Sequence, residues 1–96
     1  MALYFEVLVS YDIEENKNRK KLFDELKDMS LVSIQKSVFW GHLKEAEFKM
    51  LPHLFDKYCG KGDKAFFVKA KLSKEILKNS FGYEKQDFEE KEFEYI

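Results

Sequence analysis

Residues 3–13 read LYFEVLVSYDI, and the division of this stretch into faces decides the fold. β-Branched and aromatic types dominate it, so it reads as a strand. One face carries Phe5, Val7, Val9 and Tyr11 and is wholly apolar. The other carries Tyr4, Glu6, Leu8, Ser10 and Asp12 and is mixed. The apolar face should pack on helices. The mixed face suits a sheet surface covered by a partner better than one facing only water.

Outward from this strand the period changes. In residues 16–29, NKNRKKLFDELKDM, the residues Leu22, Phe23, Leu26 and Met29 form one apolar stripe, as in a helix. Asn16 is a candidate N-cap. Arg19 precedes the stripe by one turn, which puts it beside the loop that follows Asp12. Residues 31–43, LVSIQKSVFWGHL, are strand-like throughout: either one long bent strand or two strands and a tight turn, with no Asn-Gly signal to mark a break. Residues 45–58 present Phe48, Leu51, Leu54, Phe55 and Tyr58 as a second helical face. Pro52 lacks an amide proton, so this helix either starts near Leu51 or kinks there. Gly60–Asp63 reads as a turn and 64–72, KAFFVKAKL, as a strand. Residues 73–79 suit a helical turn capped by Ser73, and 92–96, EFEYI, a final short strand.

The order is β-α-β-β-α-β with an extra C-terminal strand: an α+β, ferredoxin-like sandwich whose helices cover one sheet face. Residues 1–80 form the ferredoxin-like domain. Residues 81–96 form a C-terminal segment whose terminal strand pairs with the partner subunit. A chain of 96 residues leaves roughly a third of its unfolded surface unburied, which makes a homodimer advantageous. Its sixteen aromatic residues supply enough apolar mass for a core.

A single cysteine, Cys59, cannot form an internal disulfide or by itself hold zinc or an iron–sulfur cluster. The first apolar stretch is interrupted by Glu6 and is too short to span a bilayer, so a cytoplasmic location with no membrane partner is the default. Net charge is −1, but residues 84–94 hold six acids and two lysines, −4 in all, leaving +3 for the remainder. KNRKK at 17–21 places Lys17, Arg19, Lys20 and Lys21 in five residues, either a solvated helix start or a contact with phosphates.

There is no HExxH, Walker loop or GxGxxG, and no Ser/His/Asp set. His42 and His53 read as ordinary surface histidines. The attractive group is Asp12, at a strand end where a side chain is held rigidly yet reaches solvent. Its oxygens suit a hard cation such as magnesium, and two Asp12 residues across a two-fold axis would bind it better than one. The plainer reading is that Asp12 caps a turn.

S-Y-D-I at 10–13, Arg19 seven residues past the aspartate and I-Q-K-S-V-F at 34–39 together resemble the small CRISPR-associated Cas-two proteins. Asp63 with the strand after it and Phe81-Gly82 extend the resemblance over nearly the whole chain. The resemblance implies a homodimer in which Asp12 of each subunit flanks a magnesium site, with Ser10, Tyr11, Ser37 and Phe39 near the dimer centre. It implies a part in spacer acquisition, as the dimer that binds duplex DNA between dimers of the Cas-one integrase. It also implies magnesium-dependent endonuclease activity on RNA or DNA, with Asp12 as the catalytic and metal-binding residue. The chain departs from the pattern in having Lys20 and Lys21 after Arg19 where the family often has a second arginine. Lysine keeps the charge but not the bidentate phosphate geometry. Trp40-Gly41 stands where the family often has an acid and glycine. An alternative is a stand-alone metal-dependent endoribonuclease of the toxin kind. A third, an RNA-recognition domain, is disfavoured because K-A-F-F-V at 64–68 follows the second helix rather than preceding it.

Overall fold

A computed structural model describes residues 3–89. The elements are β1 (Tyr4–Asp12), α1 (Asn16–Asp28), β2 (Val32–Gln35), β3 (Val38–Lys44), α2 (Glu45–Tyr58), β4 (Lys64–Lys69) and a 3-10 helix (Lys85–Phe88). The sheet runs β2-β3-β1-β4 with every neighbouring pair antiparallel. This is the ferredoxin-like α+β arrangement expected from the sequence. The expected strand at 92–96 lies outside the described residues.

β1 is an interior strand, paired with β3 on one side and with the edge strand β4 on the other. Its apolar face meets the two helices: Val7, Val9, Leu22, Leu26, Phe39, Leu43 and Leu51 are all fully buried. Each such side chain contributes roughly 1.5–3 kcal/mol when removed from water. The Phe23 ring packs edge-on against Phe39 at 5.2 Å, and Phe48 packs edge-on against Phe67 at 5.1 Å. The Tyr58 hydroxyl donates to Glu25 Oε2 at 2.6 Å and ties α2 to α1.

The open question over 31–43 resolves into two strands. Gln35 pairs with Val38 around a Lys36-Ser37 turn, and Ser37 has φ 64°. An L-residue in that region costs about 1–2 kcal/mol, and Ser37 occupies it without the glycine that usually marks such a turn, so the sequence did not reveal the break.

α1 is capped by Glu15, not by Asn16. The Glu15 carboxylate accepts the Lys17 and Asn18 amides at 3.0 Å each. The extended backbone of Glu15 aims its side chain at those donors, whereas Asn16 is already the first helical residue. At the other end Ser30, φ 69°, turns the chain back. The Leu31 amide donates to the Leu26 carbonyl and the Ser30 amide to the Lys27 carbonyl, a paired closure that satisfies orphaned carbonyls.

α2 starts at Glu45 and runs unbroken through Pro52, instead of starting near Leu51. Pro52 is exposed while Leu51 and Leu54 are buried, so the apolar face holds the helix against the sheet despite the missing bond. His53 is exposed as expected.

β4 ends at Lys69, three residues short of the expected Leu72. The Ala70 amide still reaches the Glu6 carbonyl at 3.1 Å, but the Leu72 amide turns to the Glu6 side chain at 2.8 Å and leaves the ladder. Ser73 does cap the following turn, its Oγ accepting the Glu75 amide. No helix among the described residues is long and apolar enough to cross a membrane.

Candidate functional site

The outward sheet face divides into two halves. Toward the Tyr4 end, Glu6 Oε2 accepts both the Trp40 indole N–H at 2.9 Å and the Leu72 amide at 2.8 Å. His42 Nε2 lies 3.7 Å from the other Glu6 oxygen, and its ring meets Trp40 edge-on. His42 therefore sits within a polar cluster, not alone in a strand. The chain after β4 is thereby pinned over Trp40, with Leu72, Ile76, Leu77 and Phe88 around a small cleft beside that ring. Cross-strand register places Leu8 opposite Val68 and Ser10 opposite both Val38 and Phe66. Phe66 and Val68 remain 53% and 43% exposed, an apolar patch leading directly to Asp12.

Asp12 is the last residue of β1, exposed, and opposite Lys64 of β4. Its carboxylate has no hydrogen bond or ion pair with any described residue. Ser10, on the same strand face, is half-buried. Among the described residues no three His, Cys, Asp or Glu side chains converge as metal ligands. At the end of β1 the chain offers the Asp12 carboxylate, with exposed Glu14 two residues further along the loop. Magnesium is commonly held by one or two protein carboxylates with water and phosphate oxygens completing its shell, so an exposed Asp12 that no described residue engages fits as one ligand of such a site.

The loop after Asp12 is clamped from two sides. Arg19 Nη1 donates to the Ile13 carbonyl at 2.8 Å and more weakly to that of Glu14 at 3.3 Å, while Nη2 bonds Asn16 Oδ1. Asp63 accepts the Glu14 amide at 3.1 Å through one oxygen and the Gly60 amide at 2.7 Å through the other. Those two amides hold the Asp63 carboxyl below its ordinary range. With both oxygens engaged, Asp63 is a loop brace, not a second metal ligand beside Asp12.

The remaining sequence-selected residues separate by role. Tyr11 points into the core, 5% exposed, and its amide donates to the Ser37 carbonyl at 3.1 Å. Burial pushes the Tyr11 hydroxyl up, partly opposed by a hydrogen bond with Ser37 and by the Arg19 charge. Phe39 is wholly buried in the chain's own core. Ser37 holds the β2–β3 turn against β1, one residue from Asp12. Lys20 is paired with Asp24 at 3.0 Å, an exposed contact of little energetic weight. Lys17 and Lys21 are exposed and have no ion pair among the described residues. Arg19 is half-buried and engaged with the loop through Nη1 and with Asn16 through Nη2. Sequence reading missed two cations that join this end, Lys36 in the β2–β3 turn and Lys64 opposite Asp12. Nothing local signals them, because each arrives through strand pairing.

Comparison with known proteins follows the same lines. The chain is 38% identical over 90 residues to a CRISPR-associated endoribonuclease Cas2 of Francisella tularensis subsp. novicida (strain U112), covering 94% of this chain and 93% of that protein. It is 38% identical over 60 residues to a CRISPR-associated endoribonuclease Cas2 of Desulforudis audaxviator (strain MP104C), covering 58% of this chain and 57% of that one. The family model for CRISPR associated protein Cas2 matches residues 5–79, which hold every strand and both long helices except the first residue of β1. This chain, a βαββαβ sandwich with an exposed carboxylate at the end of its first strand, accordingly belongs to the CRISPR associated protein Cas2 family.

Proposed function

We propose that the protein acts in CRISPR adaptation as a homodimer. It binds the nucleic-acid backbone along its basic end and cleaves phosphodiesters with Asp12 of each protomer. The carrying observation is the exposed Asp12 carboxylate, engaged by no described residue, at the margin of an apolar sheet patch. A second copy packed on Leu8, Phe66 and Val68 would cover that patch and bring two Asp12 residues near one axis.

In this reading Asp12 would hold magnesium, which when bound would supply Lewis-acid charge at a phosphodiester, and water would be the nucleophile. A P–O bond to water forms, the ester P–O bond breaks, and the departing oxygen takes a proton. Arg19 and Asp63 keep the loop after Asp12 rigid, and Lys17, Lys21 and Lys64 meet phosphate oxygens. The same cations suit duplex DNA held for a Cas-one integrase, the scaffold part of the proposal. A second reading is a stand-alone metal-dependent endoribonuclease; of this, the names of both relatives support the endoribonuclease activity.

Asp12→Ala separates the roles. Cleavage of RNA and DNA in magnesium should vanish while dimer mass, integrase co-elution and duplex affinity persist. Spacer acquisition should survive if integration chemistry belongs to the partner. Unchanged cleavage in the variant defeats the assignment of Asp12. Loss of acquisition with an intact complex defeats the scaffold.

A further inference from the structure

A cleft of ≈ 470 Å³ lies between α1 and the β2–β3 turn, on the helix side of the sheet and around the end of β1 from Asp12. Small-ligand sites occupy about 300–1,000 Å³. Phe23 and Tyr11 form an apolar floor, Ser33 and Ser37 bring hydroxyls, and Arg19, Lys20 and Lys36 supply positive charge. Among the described residues no acidic side chain lines it. Lys36 has no ion pair among the described residues, and the Lys20–Asp24 contact is exposed, so both amines can turn to a ligand. Apolar floor and cationic wall together call for a molecule that is flat and apolar at one end and anionic at the other. Inorganic phosphate would leave the floor unused, and a duplex, whose bases are stacked inward, has nothing to insert.

We infer that this cleft receives one unpaired nucleotide, its base against Phe23 and its phosphate on Lys20 and Lys36. The inference rests on the proposed nucleic-acid function and specifies its substrate as a strand with a free base beside the Asp12 end. Arg19 holds the wall through its bonds to Ile13 and Asn16. Ser33 is exposed on the rim, so a larger side chain there can occupy the cleft without entering the core.

The test uses adenosine monophosphate and inorganic phosphate as probes on the full-length protein, followed by backbone amide spectra. Adenosine monophosphate should shift the Ser33, Lys36 and Ser37 amides saturably, in wild type and in Asp12→Ala alike, with inorganic phosphate at the same concentration shifting them far less. Ser33→Phe should abolish the nucleotide response and weaken a single-stranded decamer by about tenfold, the order of one lost stacked base, while duplex affinity stays within about twofold. Lys36→Glu, which leaves the core untouched, should likewise remove the nucleotide response. Equal response to inorganic phosphate, no response to the nucleotide, or equal losses for single strand and duplex would each overturn the subsite. Persistent cleavage by Asp12→Ala with the nucleotide shifts intact would overturn the proposed catalytic role alone.

Discussion

Asp63 Oδ1 accepts the backbone amide of Glu14 at 3.1 Å, so the turn that leads into β4 braces the loop that follows the candidate catalytic aspartate. The bond spans 49 positions of sequence. Together with the Gly60 amide it favours the ionised carboxylate and depresses the Asp63 pKa below 3.8. A depressed carboxylate stabilises the fold fully above its unfolded value and loses that contribution as pH falls through its folded value. Asp63→Ala should therefore melt a few degrees lower than wild type at neutral pH. The gap should narrow below about pH 3.8, as thermal melts between pH 6 and pH 2 would record. A constant gap across that range would remove the brace from the account.

Tyr58 offers the opposite sign. Its hydrogen bond to Glu25, and secondarily its burial, raise its pKa above 10.0. The stabilisation is complete below pH 10.0 and is lost as pH rises through the higher folded value. Tyr58→Phe should be less stable than wild type at pH 7, and the two should converge in alkaline melts. Glu25→Gln, which retains an acceptor without charge, should lie between them.

Ser30 closes α1 in the left-handed region with φ 69°. Glycine enters that region without the side-chain penalty of about 1–2 kcal/mol, though it adds unfolded-state entropy of about 0.5–1 kcal/mol. Ser30→Gly should stabilise the protein by about 0.5–1 kcal/mol in urea titrations at constant m. A destabilised variant would mean that the Ser30 side chain makes a compensating contact.

Phe39 touches Phe23 and Tyr11 and has no exposure. Phe39→Ala should cost about 3–5 kcal/mol by cavity formation, readable in the same titrations. Phe39→Leu should cost far less, since it keeps most of the volume. Similar losses for both would show that ring geometry, not volume, carries the effect.

The apolar patch predicts self-association. Light scattering across a dilution series should return about twice the 11.5 kDa chain mass. Phe66→Asp, at a site 53% exposed in the single chain, should shift the particle toward monomer while leaving the circular dichroism spectrum unchanged. A Phe66→Asp dimer as tight as wild type would place the interface elsewhere.

What the sequence determined by itself is periodic. Alternation in LYFEVLVSYDI, the stripe through Leu22, Phe23, Leu26 and Met29, and the second stripe through Leu51 and Leu54 specify strand, helix and helix, because burial of one face imposes a period on local chemistry. Asp12 was legible as a strand-end carboxylate for the same reason. The tertiary structure decided everything that depends on two distant segments meeting or on a backbone angle without its usual residue. Ser37 turns β2 into β3 at a positive φ with no glycine. Glu15 replaces Asn16 as cap because of where its extended backbone aims it. Lys36 and Lys64 reach the Asp12 end only through strand register, and Glu6 draws the Leu72 amide off β4 to roof half of the outer face. Each of these is a contact between positions far apart in the chain, or a local geometry sustained by such contacts, and no local pattern encodes it.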